Sequence, residues 1–167
     1  PGSMREEVLL FHRQNIGTRG GRKPVKKRWN GPGSLTHFVR RSLRGSYKHP
    51  TEKPLDLMLD LVAYFTDPGE LVLDMCAGAG TTALACKLLG RSCIAVEKDL
   101  TWATYAKARI RDKLSERDMK RAEEWCATVH AEASSVPEPR AADGSDVRTY
   151  ERAQRRLDDV LRCAAAI

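Results

Sequence analysis

LVLDMCAGAGTTALACKLLG, residues 71–90, reads as a strand that enters a glycine-rich turn and leaves as a helix. Residues 71–75 form a continuous apolar run ending around Asp74, and Gly78 and Gly80 supply the turn. TTALACKLL then makes a helix that Gly90 stops. CIAVE at 93–97 is the next strand, and LTWATYAKARIRDKL after Asp99 the next helix. A strand, helix, strand, helix order predicts a parallel sheet with helices packed against it, because crossovers between parallel strands are right-handed. Glycines at 78 and 80 remove side chains where a ligand would approach the backbone, and a helix starting near Thr81 aims its unpaired N–H groups at that ligand. A tight turn with no ligand has the same glycines. Glu97 favours a functional turn, since a carboxylate at the end of the second strand is placed to accept hydrogen bonds from ribose hydroxyls. Asp74, the glycines and Glu97 thus outline a pocket at the carboxyl ends of two adjacent strands. Ala83 takes the third position of a G-x-G-x-x-G/A pattern, so a dinucleotide and a nucleoside without pyrophosphate both fit.

Working outward, LDLMLDLVAYF after Pro54 places Leu55, Met58, Leu59 and Val62 on one face of a helix that Pro68-Gly69 closes off. EVLLF at 7–11 is a short strand candidate. Downstream, ERDMKRAEEWCATVHAE carries Met119, Ala122, Trp125, Cys126 and Val129 on one helical stripe, defining a helical extension over 115–131. Residues 132–147 have the Pro, Ser and Gly content of a linker, and a second helix is predicted over 148–163. The 167 residues suffice for one ordinary domain, here 4–114, and these additions. Pro1-Gly2-Ser3 ahead of Met4 has the look of a cloning remnant before a natural start, with no secretory pattern. Apolar runs fall well short of the roughly 18 residues of a membrane span, so no membrane association is expected. The expected location is intracellular, cytoplasmic or nucleoid-associated. Five cysteines without a C-x-x-C pair read as reduced thiols, and no metal site is predicted.

Charge is concentrated at one end. Residues 1–53 hold 13 Lys or Arg against Glu6, Glu7 and Glu52, an excess of 10, whereas the whole chain carries +7. The basic loop over 17–46 contains Arg19, Arg22, Lys23, Lys26, Lys27, Arg28, Arg40, Arg41 and Arg44, interleaved with Trp29, His37 and Phe38. That composition points to contact with a nucleic-acid phosphate backbone, and otherwise to a solvated face. Phosphate contacts give affinity and register without reading a base sequence.

YKHPTEKP at 47–54, followed by DPGELVLDMCAGAGTTALACKLLGRSCIAVEKD at 67–99, is spaced and ordered as in the DNA amino-methyltransferases that act on adenine N6 or cytosine N4. The chain resembles their permuted form, in which the cofactor motifs follow the catalytic one, over about residues 6–112. The resemblance implies an α/β, partial Rossmann-like methyltransferase fold with a parallel sheet flanked by helices and a C-terminal helical extension. It also implies an S-adenosylmethionine site. Asp74, Cys76 and the turn from Gly78 through Gly80 and Thr81 to Thr82 would approach the methionine portion, and Glu97 would hold the ribose. His49, Thr51, Lys53 and Pro54 would close over the amino-acid end. Met75 and Cys76 depart from the family's usual Pro and Phe, which removes an aromatic cofactor contact.

The transfer chemistry of this family sits in an Asp-Pro-Pro-Tyr or related element that holds the exocyclic amine and stacks on the flipped base. The 167 residues contain Asp67-Pro68-Gly69 but no such element, which in the permuted order belongs before residue 6. No catalytic residue is therefore assigned. The expected function is a methyltransferase-derived protein that binds nucleic acid, with S-adenosylmethionine as its cofactor, and is inactive alone. The alternatives are the cofactor-binding part of a split or truncated enzyme, with a catalytic partner subunit, and an assembly protein built on a repurposed fold. A sheet lacking its neighbouring strands would expose hydrogen-bonding edges, so a homo-oligomer is expected, by preference a twofold dimer. Trp102 and Tyr105 are expected to pack on the first turns of their helix rather than clamp a base.

Overall fold

A computed structural model describes residues 48–138 and 144–167. The strand candidate at 7–11, the basic loop over 17–46 and its nine assigned cations lie outside the described residues. Seven elements follow in order: α1 (Leu55–Phe65), β1 (Leu71–Asp74), α2 (Thr81–Leu88), β2 (Ser92–Ala95), α3 (Leu100–Arg111), α4 (Glu116–Ser134) and α5 (Gly144–Ala166).

Pro54 opens α1 because its fixed φ of −58° suits a helix start, where its missing N–H costs no hydrogen bond. The helix buries Leu55, Leu59, Val62 and Ala63, the i, i+4, i+7, i+8 stripe of an amphipathic helix. Gly90 ends α2 as the sequence predicts. With φ of +70° it lets Arg91 N donate to Cys86 O (2.8 Å) and Gly90 N to Lys87 O (3.3 Å), the paired bonds of a glycine-closed helix end. In α2 itself, Leu84, Ala85, Cys86 and Leu88 are buried, since α1, α3, α5 and the sheet surround it.

Among the described residues the sheet consists of β1 and β2, parallel, with Leu71 opposite Ser92 and Asp74 opposite Ala95. Side chains alternate across a strand, so the two faces differ. Val72 and Cys93 pack on the core. Leu71, Leu73, Met75, Ile94 and Val96 are 44–63% exposed, leaving the other face apolar and in water.

The C-terminal helices do not cross that face. Trp125, Cys126 and Val129 of α4 and Val160 and Cys163 of α5 join the core cluster of α1 and α2, thickening the layer on the covered side. Trp125 Nε1 donates to buried Asp60 Oδ1 of α1 at 2.8 Å. Arg91 grips both carboxylate oxygens of Asp159 on α5. The observed ends correct four predicted boundaries. Helix α3 stops at Arg111 rather than at 114; Ser115 instead caps α4 by accepting from Asp118 N at 3.2 Å. Helix α4 continues to Ser134 and α5 begins at Gly144, so both enter the predicted linker, and α5 runs to Ala166. Gly, Ser and Asp are favoured in linkers and at helix starts alike, which is why GSD at 144–146 misleads.

Candidate functional site

The glycine turn joins the carboxyl end of β1 to α2, directly beside the segment that leaves β2. Ladder-like bonds continue past the strands: Val96 N donates to Asp74 O (2.8 Å) and Ala77 N to Val96 O (2.9 Å). Glu97 is thereby placed against the turn. Its Oε2 accepts from Gly78 N at 2.7 Å and its Oε1 from Asp99 N at 2.9 Å. These backbone donors, Asp99 first and Gly78 next, hold the Glu97 carboxyl below the usual carboxylate range, so it is ionised at neutral pH. Asp99 is itself fixed, its Oδ1 capping α3 by accepting from Thr101 N (2.8 Å) and Trp102 N (3.2 Å).

His49 lies on the other side of Gly78. Its ring meets the Trp102 ring edge-on at a centroid distance of 4.4 Å, and a Cβ added at Gly78 would sit 3.3 Å from His49 Cε1. Trp102 packs as expected, 6.0 Å from Tyr105 in a second edge-on contact, but against a residue of the candidate site. Thr51 N donates to His49 Nδ1 at 3.3 Å, tying the start of the 49–54 segment together. Lys53 and Pro54 are half-buried on the way into α1. Asp74 Oδ1 accepts from the N–H of exposed Cys76 at 3.0 Å, which shapes the first bend after β1.

The two glycines have different work. Gly78 has φ of +49° and directs its N–H to Glu97, whereas Gly80, at +75°, lies against α3, where an added Cβ would come 2.8 Å from Ala106 Cβ. Thr81 is buried with its hydroxyl accepting from Arg109 Nη1 at 3.1 Å, and Thr82 is half-buried at the start of α2. The structure thus brings His49, Gly78 and Glu97 to one place with Asp99 and Trp102. Gly80 and Thr81 face the support beneath the turn. The sequence marks Asp99 only as the residue before a helix, and neither its cap on α3 nor its hold on Glu97 was read from it. Glu52 and Arg109 carried no signal, since pairing of distant charges has no spacing rule. No group of His, Cys, Asp or Glu able to hold a metal occurs among the described residues.

Comparison with known proteins gives three likenesses. Type II methyltransferase M2.MboI of Moraxella bovis is 38% identical over 65 residues, which are 39% of this chain and 24% of that protein. Type II methyltransferase M2.DpnII of Streptococcus pneumoniae is 34% identical over 88 residues, 53% of this chain and 31% of that one. The crystal structure of an M1.HpyAVI–SAM complex aligns with a TM-score of 0.46 at 36% identity, covering 52% of this chain and 45% of its own. The chain spans about a quarter to a third of the length of the curated relatives it matches. The N6/N4 methyltransferase family model, described as DNA methylase, matches residues 11–108. That stretch holds His49, the glycine turn, Glu97 and Trp102, and the chain belongs to the DNA methylase family.

Proposed function

We propose that this chain is the cofactor-binding part of a DNA amino-methyltransferase, holding S-adenosylmethionine at the glycine turn and transferring no methyl group by itself. The observation that carries the reading is the Glu97 carboxylate, fixed by Gly78 N and Asp99 N at the carboxyl end of the sheet. Two carboxylate oxygens offer about four acceptor positions, so two such donors leave capacity for a ribose diol. The residues present fit the group: an ionised acceptor, a turn with no side chain at Gly78, and a wall of His49 and Trp102. When bound, the cofactor supplies a methyl group on a sulfonium centre. The chain's own part is to accept hydrogen bonds at Glu97 and to shape the pocket through Gly78. Placing the attacking nitrogen in line needs an amine-binding element from elsewhere, in the same polypeptide or a separate one.

Calorimetry with S-adenosylhomocysteine is expected to detect binding, and Glu97→Ala to weaken it about ten- to a hundredfold, as for loss of charged hydrogen bonds. Affinity should fall as the acceptor is protonated, when the pH drops through the Glu97 pKa, which its backbone donors place below the ordinary carboxylate value. Labelled methyl transfer to duplex DNA by the same protein should stay at background. No binding at millimolar ligand, or transfer that Glu97→Ala abolishes, overturns the reading.

The basic N-terminal third favours a second property of the same protein, DNA binding through 19–44. Binding of unrelated duplexes is expected to be comparable and strongly salt-dependent. Replacing Arg22, Lys26, Lys27 and Arg28 by Ala should weaken it on every sequence and flatten the dependence of log K on log salt, measured by fluorescence anisotropy. Unchanged binding would make the loop a solvated face.

A further inference from the structure

Beneath the glycine turn lies a buried charge cluster drawn from three parts of the chain. Arg109, in the last turn of α3, donates from Nε to Asp118 Oδ2 at 2.9 Å and from Nη2 to Asp118 Oδ1 at 2.7 Å, a two-pronged grip on the first turn of α4. Its Nη1 donates to Ala79 O and to Thr81 Oγ1, each at 3.1 Å, and lies 3.1 Å from Glu52 Oε1. Glu52 belongs to the segment that carries His49. Arg117 joins Glu52 Oε1 at 2.6 Å and Asp118 Oδ1 at 3.4 Å. The side chains of Glu52, Arg109 and Asp118 are only 1–6% exposed. Two cations and two anions make the cluster neutral, the condition for keeping such charges buried.

Ala79 stands between two glycines with positive φ, so side-chain sterics do little to fix the peptide that follows it. That peptide is held from both sides, its N–H at Gly80 donating to Ala77 O at 2.8 Å and its carbonyl accepting from Arg109 Nη1 at 3.1 Å. The neighbouring residue, Gly78, offers the N–H that holds Glu97. Burial pushes the Asp118 carboxyl up, but the Arg109 hydrogen bond and charge, with help from Arg117, outweigh it and keep the group ionised. Arg109 and Asp118 both lie beyond residue 108, where the family match stops.

We propose that Arg109 is a positioning residue for the glycine turn, and that through it Asp118 of α4 and Glu52 of the 49–54 segment set the shape of the cofactor pocket. The helical extension is then part of the ligand site's support. This inference rests on the proposed cofactor site only for its functional meaning, since the shape of the turn is measurable without ligand.

The test follows backbone amide resonances of Gly78, Ala79 and Gly80 in the ligand-free protein, together with melting temperature and the Kd for S-adenosylhomocysteine. Arg109→Lys keeps the charge but loses the planar fork. It is expected to shift all three resonances and to weaken binding about fivefold or more. Asp118→Asn, a milder change that keeps the size, should move the same resonances in the same direction by less. Trp125→Phe, which removes the hydrogen bond from α4 to Asp60 of α1 without touching the turn, should lower the melting temperature and leave those resonances in place. Unmoved resonances in both Arg109→Lys and Asp118→Asn overturn the proposal, as does an equal shift in Trp125→Phe. If no variant and no wild-type protein binds the ligand, the cofactor reading fails while the resonances still decide this one.

Discussion

Arg91→Ala is expected to destabilise the fold by about 3–5 kcal/mol, the cost of leaving one partner of a buried ion pair alone. The Arg91 side chain is 1% exposed and that of Asp159 is 6%. Arg91 Nη1 and Nη2 hold both Asp159 oxygens, Nη2 also donates to Thr66 O at 2.9 Å, and Nε reaches Thr66 Oγ1 at 3.2 Å. Alanine removes all of these at once and leaves Asp159 with Arg162 Nη1 at 3.3 Å, from a side chain that is 40% exposed. Urea denaturation should show a lower midpoint at unchanged slope. The deficit should shrink on acidification. Burial already holds the Asp159 carboxyl above its usual value and Arg91 pulls it back down, so losing Arg91 raises it further; the charge part of the deficit is absent below the wild-type folded pKa, where Asp159 is protonated in both proteins, and is full once pH rises through the variant's higher one. The double variant Arg91→Met, Asp159→Leu should recover most of the loss, because the pair's attraction is largely offset by its desolvation. A cost below about 1 kcal/mol for Arg91→Ala would mean that this pair does not hold α5 in place.

Gly80→Ala is expected to cost about 2–5 kcal/mol, from two sources that a companion variant separates. The left-handed backbone disfavours a Cβ by roughly 1–2 kcal/mol. The new Cβ would also lie 2.8 Å from Ala106 Cβ and 3.3 Å from Ala106 Cα, a clash with backbone that cannot rotate away, and overpacking of this kind costs about 1–3 kcal/mol more. Gly69→Ala has a φ of +82° but no atom within 4 Å of the added Cβ, so it should show the backbone share alone. Thermal unfolding of the two variants should therefore differ by the contact share. Because α3 carries Trp102 and Arg109, displacing it should also weaken ligand binding in Gly80→Ala and not in Gly69→Ala. Equal melting temperatures would refute the close approach of α2 and α3.

What could be read in the sequence was local. The strand, turn and helix at 71–90, the stop at Gly90 and the α1 stripe follow from the order of apolar residues and glycines, and the structure shows each of them. Glu97 was legible because a strand end fixes where a side chain goes relative to the preceding turn. The supports were not. Glu52 and Arg109 are far apart in sequence, as are Arg91 and Asp159, and nothing in either composition or period pairs one buried charge with another. Gly80 illustrates the limit from the other direction. Its positive φ belongs to the turn, as glycine spacing suggests, yet the contact that excludes a side chain comes from Ala106 on a helix two elements later.

The apolar face of β1 and β2 that no other described element covers bears on calorimetry. Heat capacity rises on unfolding in proportion to the apolar surface newly brought into water. Leu71, Leu73, Met75, Ile94 and Val96 already meet water in the folded state, so they add little to that change. Against a sheet covered on both sides, the described residues are expected to contribute a smaller heat-capacity increment on unfolding, and a stability that varies less steeply between cold and warm.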